Sequence, residues 1–225
     1  MPSPPNLLND DGTASMATMF MMSHHAFRRD LGRFAKALRS LGGDATRAQA
    51  LREEWAKFRG ALHGHHHVED TSMFPSMREE HADLANVIDG LSADHHKIDP
   101  LLEQGDAAFA KLPDTGAALA LVTELTQLLT PHLATEEAEI IPHIRAAKSF
   151  PAPPDDSMAG MYAEGFAWSS HGVAPDILAK VYELLPPVVA SRLPTALAAF
   201  EARCERVWGS AKAGAARTPI PADEP

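Results

Sequence analysis

A single cysteine, Cys204, is present among 225 residues. One thiol cannot form an internal disulfide, and it cannot build a cysteine-based zinc site. The chain also lacks an apolar run of about 18 residues, the length that a membrane-spanning helix needs. Its first residues, MPSPPNLLNDDGT, have neither the basic segment nor the apolar stretch of a secretory signal. These absences predict a cytoplasmic protein with no membrane partner.

Clustered basic side chains are absent as well. The chain has 20 Lys and Arg against 30 Asp and Glu, and its formal net charge is -10. Nucleic-acid affinity depends on basic side chains that meet phosphates, so no nucleic-acid partner is predicted. Hydrophobic residues make up 45% of the chain, which is enough to bury a core. What the sequence has in excess is histidine, with 12 residues, and all but His171 precede residue 150.

Apolar residues recur at steps of three, four and seven in four segments, which predicts four amphipathic helices. The predicted helices run from Thr13 or Ser15 to Gly42, from 46 to 73, from 79 to 110, and from 116 to 141. Pro75 and Pro142 are expected to end the second and fourth helices. Pro100 is expected to kink or divide the third helix, and Pro131 to bend the fourth. Four such helices joined by short breaks predict an all-α, up-down-up-down four-helix bundle.

The segment FPAPPDD, which begins at Phe150, is rich in proline and predicts a linker. Beyond it, apolar spacing predicts further helices near 158–170, 174–185 and 188–209. The predicted division of the chain is therefore a flexible leader (1–14), the bundle (15–148), a linker (149–157), a C-terminal helical appendage (158–212) and a disordered tail (213–225).

Two segments have the form His-x3-Glu-x5-Pro, one from His65 to Pro75 and one from His132 to Pro142. The spacing of four places Glu69 one helical turn from His65, and Glu136 one turn from His132, on the same helix face. The proline at the same offset in both segments makes a chance repeat improbable. The chain is thus interpreted as a helical hairpin that is used twice.

Each of these segments follows a helix that carries one histidine on its apolar stripe, His24 in the first hairpin and His95 in the second. Their neighbours His25 and His96, and likewise Glu137, stay open as one-residue alternatives. Apart from these alternatives, the default assignment to solvent or to positions behind the ligands applies to His63, His66, His67, His81, His96, His143 and His171.

Taken singly, each inward residue is more often a hydrogen-bonded core histidine or an ion-pair partner. Six such side chains on core faces favour metal binding, because buried imidazoles and carboxylates are costly unless they are paired or metallated. Nitrogen and oxygen ligands without thiolate suit iron, manganese or zinc. Four imidazoles and two bridging carboxylates suffice for two ions, whereas one structural zinc needs only four ligands. The predicted ligands are His24, His65, Glu69, His95, His132 and Glu136.

These residues resemble the haemerythrin-like (HHE cation-binding) family, whose pattern is one His, His-x3-Glu, one His, and His-x3-Glu or a close variant. The similarity covers roughly residues 15–148, through SHHAFRRDL, HHHVEDTSMFP, ADHHKIDP and PHLATEEAEIIP. The resemblance implies a non-haem centre of two oxo- or hydroxo-bridged iron ions, with manganese or zinc as alternatives. It implies terminal histidines, bridging glutamates, and a diatomic molecule or peroxide as partner.

One position departs from the pattern of the oxygen-carrying members, which have a fifth histidine one turn after the third-helix histidine. Here that position is Asp99. Coordination positions would then stay open, unless Asp99 or His96 fills one. Open positions favour bond-breaking chemistry over reversible O2 capture, because catalytic metal sites keep vacancies for substrate.

Three functional hypotheses follow. The first is a di-iron protein that binds or reacts with O2, peroxide or nitric oxide in sensing, storage, detoxification or oxidation. The second is a dedicated di-iron oxidase or oxygenase with a small organic substrate. The third is a helical interaction module with a structural or vestigial metal site. Whether the protein is an enzyme is left open, with a peroxidase- or oxidase-type oxidoreductase as the candidate activity.

Overall fold

The computed structural model describes residues 6–147, 153 and 155–209. The start of the predicted leader, most of the predicted linker, the end of the predicted appendage and the whole predicted tail lie outside these residues. Within the described ranges the secondary structure is helical and contains no strand, which confirms the all-α fold class. None of the helices in these ranges is long and apolar enough to cross a membrane.

The helices follow one another with short breaks. They are α1 (Met16–Arg39), α2 (Ala45–Val68), α3 (Phe74–Glu80), α4 (Ala85–Ala110), α5 (Gly116–Glu139), α6 (Ile141–Ile144), α7 (Ala159–Ser170), α8 (Pro175–Tyr182), α9 (Pro187–Ala190) and α10 (Leu193–Trp208). A π-helical turn, Glu69–Met73, joins α2 to α3, and a 3-10 turn, Ala82–Leu84, leads into α4. The four long helices predicted from apolar spacing correspond to α1, α2, α4 and α5.

The chain divides into two compact units. One, here called the bundle unit, is Asp30–Glu139, and the other, the terminal unit, combines Met1–Arg29 with Ile140–Pro225. The bundle unit therefore holds the end of α1 together with α2, α3, α4 and α5. The terminal unit holds the start of α1 and the helices from α6 onward.

In the bundle unit, α2 and α4 run antiparallel. The Trp55 indole Nε1 donates to Asp106 Oδ1 at 3.0 Å, while further along α2 the His66 Nδ1 lies 2.7 Å from Asp99 Oδ1. Residue numbers thus rise along α2 as they fall along α4. After a turn at 111–115, α5 packs back along α4. This antiparallel order is the one that the predicted bundle requires.

The structure bears on two of the expectations for the prolines. Helix α4 continues through Pro100, so of the two expected effects, a kink or a division, the division does not occur. The second helix does not end at Pro75, because the π turn leads directly into α3, and Pro75 stands in the first turn of that helix. Proline is well tolerated there, since a first-turn backbone N–H has no partner within the helix. The prediction that Pro75 terminates the second segment was therefore wrong.

Aromatic rings fill the part of the bundle unit remote from the histidines. The Phe34 ring meets those of Trp55, Phe58 and Phe109 edge-on, with centroids 5.3 to 5.9 Å apart. The Trp55 and Phe109 rings stack at 4.6 Å and 13°. Gly105 on α4 provides the space for the indole, because a Cβ there would overlap the Trp55 ring. The glycine therefore allows α4 to approach α2 closely.

In the terminal unit, α7 packs against α10 and the start of α1. The Phe27 and Trp168 rings lie 5.0 Å apart, and the buried Arg29 guanidinium donates to the Trp168 carbonyl at 3.0 Å and to the His171 carbonyl at 2.8 Å. These carbonyls belong to the end of α7, where backbone acceptors lack partners within the helix. Arg29 therefore supplies the missing donors and complements the negative end of the helix.

Residues 6–14 of the predicted leader carry defined contacts in the same unit. The Leu7 side chain is buried, and its carbonyl accepts from Thr18 Oγ1 at 2.6 Å. Arg145 donates to the carbonyl of Leu8 at 3.2 Å and to that of Asn6 at 2.8 Å. The side chain of Leu7 and these carbonyls fix the segment before α1.

We expect Gly105→Ala to destabilise the protein. Overlap of the new methyl group with the Trp55 indole costs about 1–3 kcal/mol, which outweighs a helix-propensity gain of about 1 kcal/mol. Gly90→Ala is the matched control, because a Cβ added to Gly90 on α4 would meet no heavy atom within 4 Å. It should stabilise by about 0.5–1 kcal/mol. Urea unfolding followed by circular dichroism measures both, and equal stability of the two variants would refute the close approach.

Candidate metal centre

Three imidazoles from three helices meet inside the bundle unit. They belong to His66 on α2, His95 on α4 and His132 on α5, and each side chain is buried. The rings of His66 and His95 stack with centroids 4.0 Å apart and 17° between their planes. The Nε2 atoms of His95 and His132 lie 3.3 Å apart. Three nitrogen donors are thus brought together in a part of the protein that water does not reach.

The carboxylate of Glu69 lies among these rings and has no exposed surface. Its Oε1 is 3.0 Å from His65 Nε2, and its Oε2 is 3.3 Å from His95 Nε2. Glu69 begins the π turn that follows α2, where the wider turn places its side chain next to α4. Each oxygen of this carboxylate therefore faces a different imidazole.

Two groups of ligand atoms overlap at this point. In the first, one atom each from His66, Glu69, His95 and His132 lies within 4.8 Å of the others. In the second, atoms of His65, Glu69 and Glu136 meet the same limit. Ligand atoms on opposite sides of one metal ion are about 4.2 Å apart, because each bond is about 2.1 Å long. The limit of 4.8 Å exceeds that separation by about half an ångström, so small side-chain shifts would suffice for each group to bind a cation, and the two groups share Glu69.

The second glutamate is as deeply buried as the first. Glu136 on α5 has no exposed surface, and its Oε1 lies 3.4 Å from His132 Nε2. It thus stands near a member of the first group while belonging to the second. Its neighbour Glu137 is half-buried.

Two aspartates lie at the outer nitrogens of the stacked rings. Asp99 Oδ1 is 2.7 Å from His66 Nδ1, and Asp70 Oδ2 is 2.9 Å from His95 Nδ1. Since a carboxylate only accepts hydrogen bonds, each Nδ1 donates a proton, and Nε2 is the nitrogen of each ring that remains available to a metal ion. Asp70 is itself fixed by Ser92 Oγ, which donates to Oδ1 at 3.0 Å.

The Nε2 atoms of these two rings differ in their partners. His95 Nε2 lies 3.3 Å from Glu69 Oε2, to which a protonated His95 donates, whereas His66 Nε2 has no hydrogen-bond partner within the described ranges. A buried nitrogen without a partner is costly, and a bound cation would replace the proton on His95 and bind both nitrogens. Imidazoles that ligate metals commonly donate their other N–H to a carboxylate, as His66 and His95 do. The residues therefore fit a metal ion.

The pKa values of His95 and Glu69 indicate a negative electrostatic potential at the site. Burial alone would lower the pKa of His95, but the hydrogen bonds and charges of Glu69 and Asp70 outweigh it and raise that pKa to about 9. Burial would raise the pKa of Glu69, yet its histidine neighbours, His65 first among them, lower it. The carboxylate is therefore charged at neutral pH, and the site attracts positive charge.

The third imidazole of the first group has a longer contact with its aspartate. His132 Nδ1 is 3.9 Å from Asp94 Oδ2, and this nitrogen accepts or donates no hydrogen bond within the described part of the chain. The distance is too long for a direct hydrogen bond. A water molecule between the two groups would complete a third carboxylate–imidazole pair.

The neighbouring histidines that the sequence left as alternatives differ in their surroundings. His96 is exposed, and its Nδ1 donates to the Ser92 carbonyl at 2.7 Å, whereas His95 is buried among the ligands. His24 and His25 on α1 are both buried. The ring of Phe20 packs edge-on against that of His24 at 4.9 Å, while His25 Nε2 lies 3.3 Å from the carbonyl oxygen of His171. The ligand role of His24 stays a prediction.

His66 was missed at the level of the sequence. It was assigned to solvent or to a position behind the ligands, but its side chain is only 1% exposed and lies in the first ligand group. The apolar spacing that leads from Leu62 to His65 by a step of three leads equally to His66 by a step of four. From His66, a further step of three reaches Glu69. Helical spacing is therefore compatible with burial of either histidine, and the sequence pattern assigned the ligand role to His65 alone.

A search of curated proteins and a search of solved structures found no match to this chain. A family model described as Hemerythrin HHE cation binding domain matches residues 15–144. That span includes both groups of buried ligands and more than half of the chain. The buried cluster of histidines and glutamates suggests a metal-binding site, in agreement with the family description, and the protein belongs to the haemerythrin HHE cation-binding domain family.

Proposed function

We propose that the protein is a non-haem di-iron protein that binds or reacts with O2, peroxide or nitric oxide, in sensing, storage, detoxification or oxidation. The observation that supports this most is the sharing of Glu69 between two compact groups of buried nitrogen and oxygen ligands. A carboxylate whose two oxygens face different imidazoles is suited to bridge two cations.

Two ions account for the buried residues better than one. A single tetrahedral zinc needs four ligands, and the first group alone would supply them. The buried charge of Glu136, together with His65, would then lie outside the site. A second cation, held by His65, Glu69 and Glu136, would account for the second compact group of ligand atoms as well.

Iron is the metal that this ligand set and the family favour together. Imidazole nitrogens and carboxylate oxygens suit iron, manganese and zinc, and neither group contains a thiolate. When bound, two iron ions would supply one-electron redox changes and open positions for a small ligand. Manganese and zinc stay as alternatives that metal analysis distinguishes.

The proposed ligands are the six residues that the sequence pattern predicts. His65, His95 and His132 would be terminal, and Glu69 and Glu136 would bridge. His24 enters the proposal because it is buried and because it occupies the first position of the family pattern.

The side chains around these ligands hold them in place and exclude water. Asp70 keeps His95 in the tautomer whose Nε2 is available, and Ser92 fixes the orientation of Asp70. The Phe74 ring lies parallel to the His95 ring, with centroids 5.8 Å apart and 9° between the planes. An apolar ring at this position lowers the local dielectric constant, which strengthens every charge interaction in the site.

The two other hypotheses have less support. A groove in the terminal unit is lined by Glu164, Arg192, Thr195 and Ala199, among others, and none of its lining residues is a proposed ligand. It therefore gives no specific support to an oxidase or oxygenase with an organic substrate. A helical interaction module with a vestigial site does not explain why two carboxylates are buried among imidazoles. Cytoplasmic location, with no nucleic-acid or membrane partner, is part of the proposal.

The first test is the metal itself. Apoprotein loaded anaerobically with Fe²⁺ and passed through a desalting column should retain two iron ions per chain. After exposure to air it should absorb in the near ultraviolet and visible range, as bridged ferric pairs do, and dithionite should bleach the bands. Retention of a single colourless zinc in preference to iron would contradict the proposal.

Replacement of the shared carboxylate should affect both ions. Glu69→Ala is expected to lower iron content to less than one ion per chain and to remove the stabilisation by metal, which amounts to about 2.7 kcal/mol at a metal concentration of 100 times Kd. Glu79→Ala on α3 is the matched control, because Glu79 is exposed. Mass spectrometry of bound metal and thermal unfolding with and without Fe²⁺ measure the two effects. Unchanged iron content in Glu69→Ala would remove Glu69 from the ligand set.

The neighbouring histidines of α1 form a second matched pair. His24→Gln should lower iron content, because it removes a proposed ligand. His25→Gln should keep the iron but reduce stability by about 1 kcal/mol, because it disturbs the contact with the His171 carbonyl. Metal analysis of both variants decides which histidine binds, and iron loss in His25→Gln alone would reverse the assignment.

A further inference from the structure

His66 is a buried histidine that the six-residue ligand pattern does not use. Its side chain is 1% exposed and lies on α2, next to the proposed ligand His65. The next residue, His67, is exposed. The position of His66 in the first ligand group therefore needs an explanation of its own.

The hydrogen bonds of His66 leave one nitrogen available. Asp99 Oδ1 lies 2.7 Å from His66 Nδ1, and a carboxylate oxygen accepts the hydrogen bond. The His66 Nδ1 must then donate, and Nε2 carries a lone pair. This nitrogen has no hydrogen-bond partner in the part of the chain that the structure describes. A buried acceptor of this kind is costly unless something electrophilic binds it.

His95, whose ring stacks on that of His66, is also held by an aspartate, and the roles of α2 and α4 are exchanged. Asp99 from α4 holds the imidazole of α2, while Asp70, in the turn after α2, holds the imidazole of His95 on α4. The two rings lie nearly parallel at 4.0 Å. Two imidazoles that are oriented alike by two carboxylates are expected to have the same role.

We propose that His66 is a metal ligand through Nε2 and that Asp99 is its positioning residue. The inference rests on the proposed metal centre and adds to it an imidazole that comes from α2. The bound ion is a divalent first-row cation of the class that imidazole prefers, with Fe²⁺ as the probe. Asp99 acts through the imidazole, because its negative charge fixes the tautomer and makes Nε2 a stronger donor.

Chemical rescue tests whether His66 binds the metal. In His66→Gly, anaerobic titration of the full-length apoprotein with Fe²⁺ should show affinity lower by at least tenfold, and free imidazole should restore it by occupying the vacated space. His67→Gly is the matched control, since it introduces glycine at the adjacent exposed position. Its Fe²⁺ affinity should equal that of the wild type and should not respond to imidazole.

A near-isosteric variant keeps the test decisive if glycine disrupts the fold. His66→Gln should retain the helical circular dichroism of the wild type and still bind Fe²⁺ more weakly. Wild-type affinity in His66→Gln, or a folded His66→Gly whose loss imidazole does not repair, would overturn the ligand role. Failure of the wild-type protein itself to bind Fe²⁺ would instead refute the proposed metal centre. The two failures are therefore distinguishable.

Asp99 is tested by its conservative and non-conservative variants. Asp99→Leu should weaken Fe²⁺ binding by roughly 10–100-fold, the usual effect of losing a partner behind a ligand. Asp99→Asn should recover most of this loss, because its amide oxygen can still accept from His66 Nδ1. It should also raise the reduction potential of the iron, since a negative charge near the ligand is gone. Equal affinities for Asp99→Leu and the wild type, or an unchanged potential in Asp99→Asn, would overturn the positioning role.

Discussion

The structure around the site depends on one electrostatic constraint, the burial of the Glu69 carboxylate among imidazoles. A charged carboxylate in this environment is tolerated only where positive charge compensates it. The fold supplies histidines on either side of it, and carboxylates behind two of the rings increase the negative potential further. The imidazoles and carboxylates around the site are therefore arranged about that charge, and the arrangement is suited to a cation.

The apolar period of the sequence predicted the long helices because burial of one face is what stabilises them. The same period identified His95 and Glu136 in preference to their neighbours, which are more exposed. It could not choose between His65 and His66, because steps of three and four from Leu62 are equally compatible with one buried face. Selecting both required knowledge of where Asp99 lies, and that contact joins residues 33 positions apart.

Proline was the other source of error, and for a related reason. Pro75 was expected to end a helix, but proline at the start of a new helical segment removes no internal hydrogen bond. The π turn before it has no sequence signature that the three- and four-residue spacing could reveal. The role of Asp99 likewise depends on its contact with His66, which the sequence does not reveal. Where oxygen carriers place a histidine, this chain has a carboxylate that holds an imidazole supplied by another helix.

The π turn Glu69–Met73 has a consequence for comparing this chain with others. Glu69 and Phe74 both reach His95, one with a carboxylate oxygen and the other with its ring, although they are five positions apart in the sequence. In a regular α-helix, partners on one face are three or four apart. A regular α-helix with one residue fewer in this segment would place the acid and the aromatic ring four apart, on the same face, so the π turn accommodates one extra residue without separating the two side chains. A sequence alignment that places no gap here would therefore equate positions that face different directions.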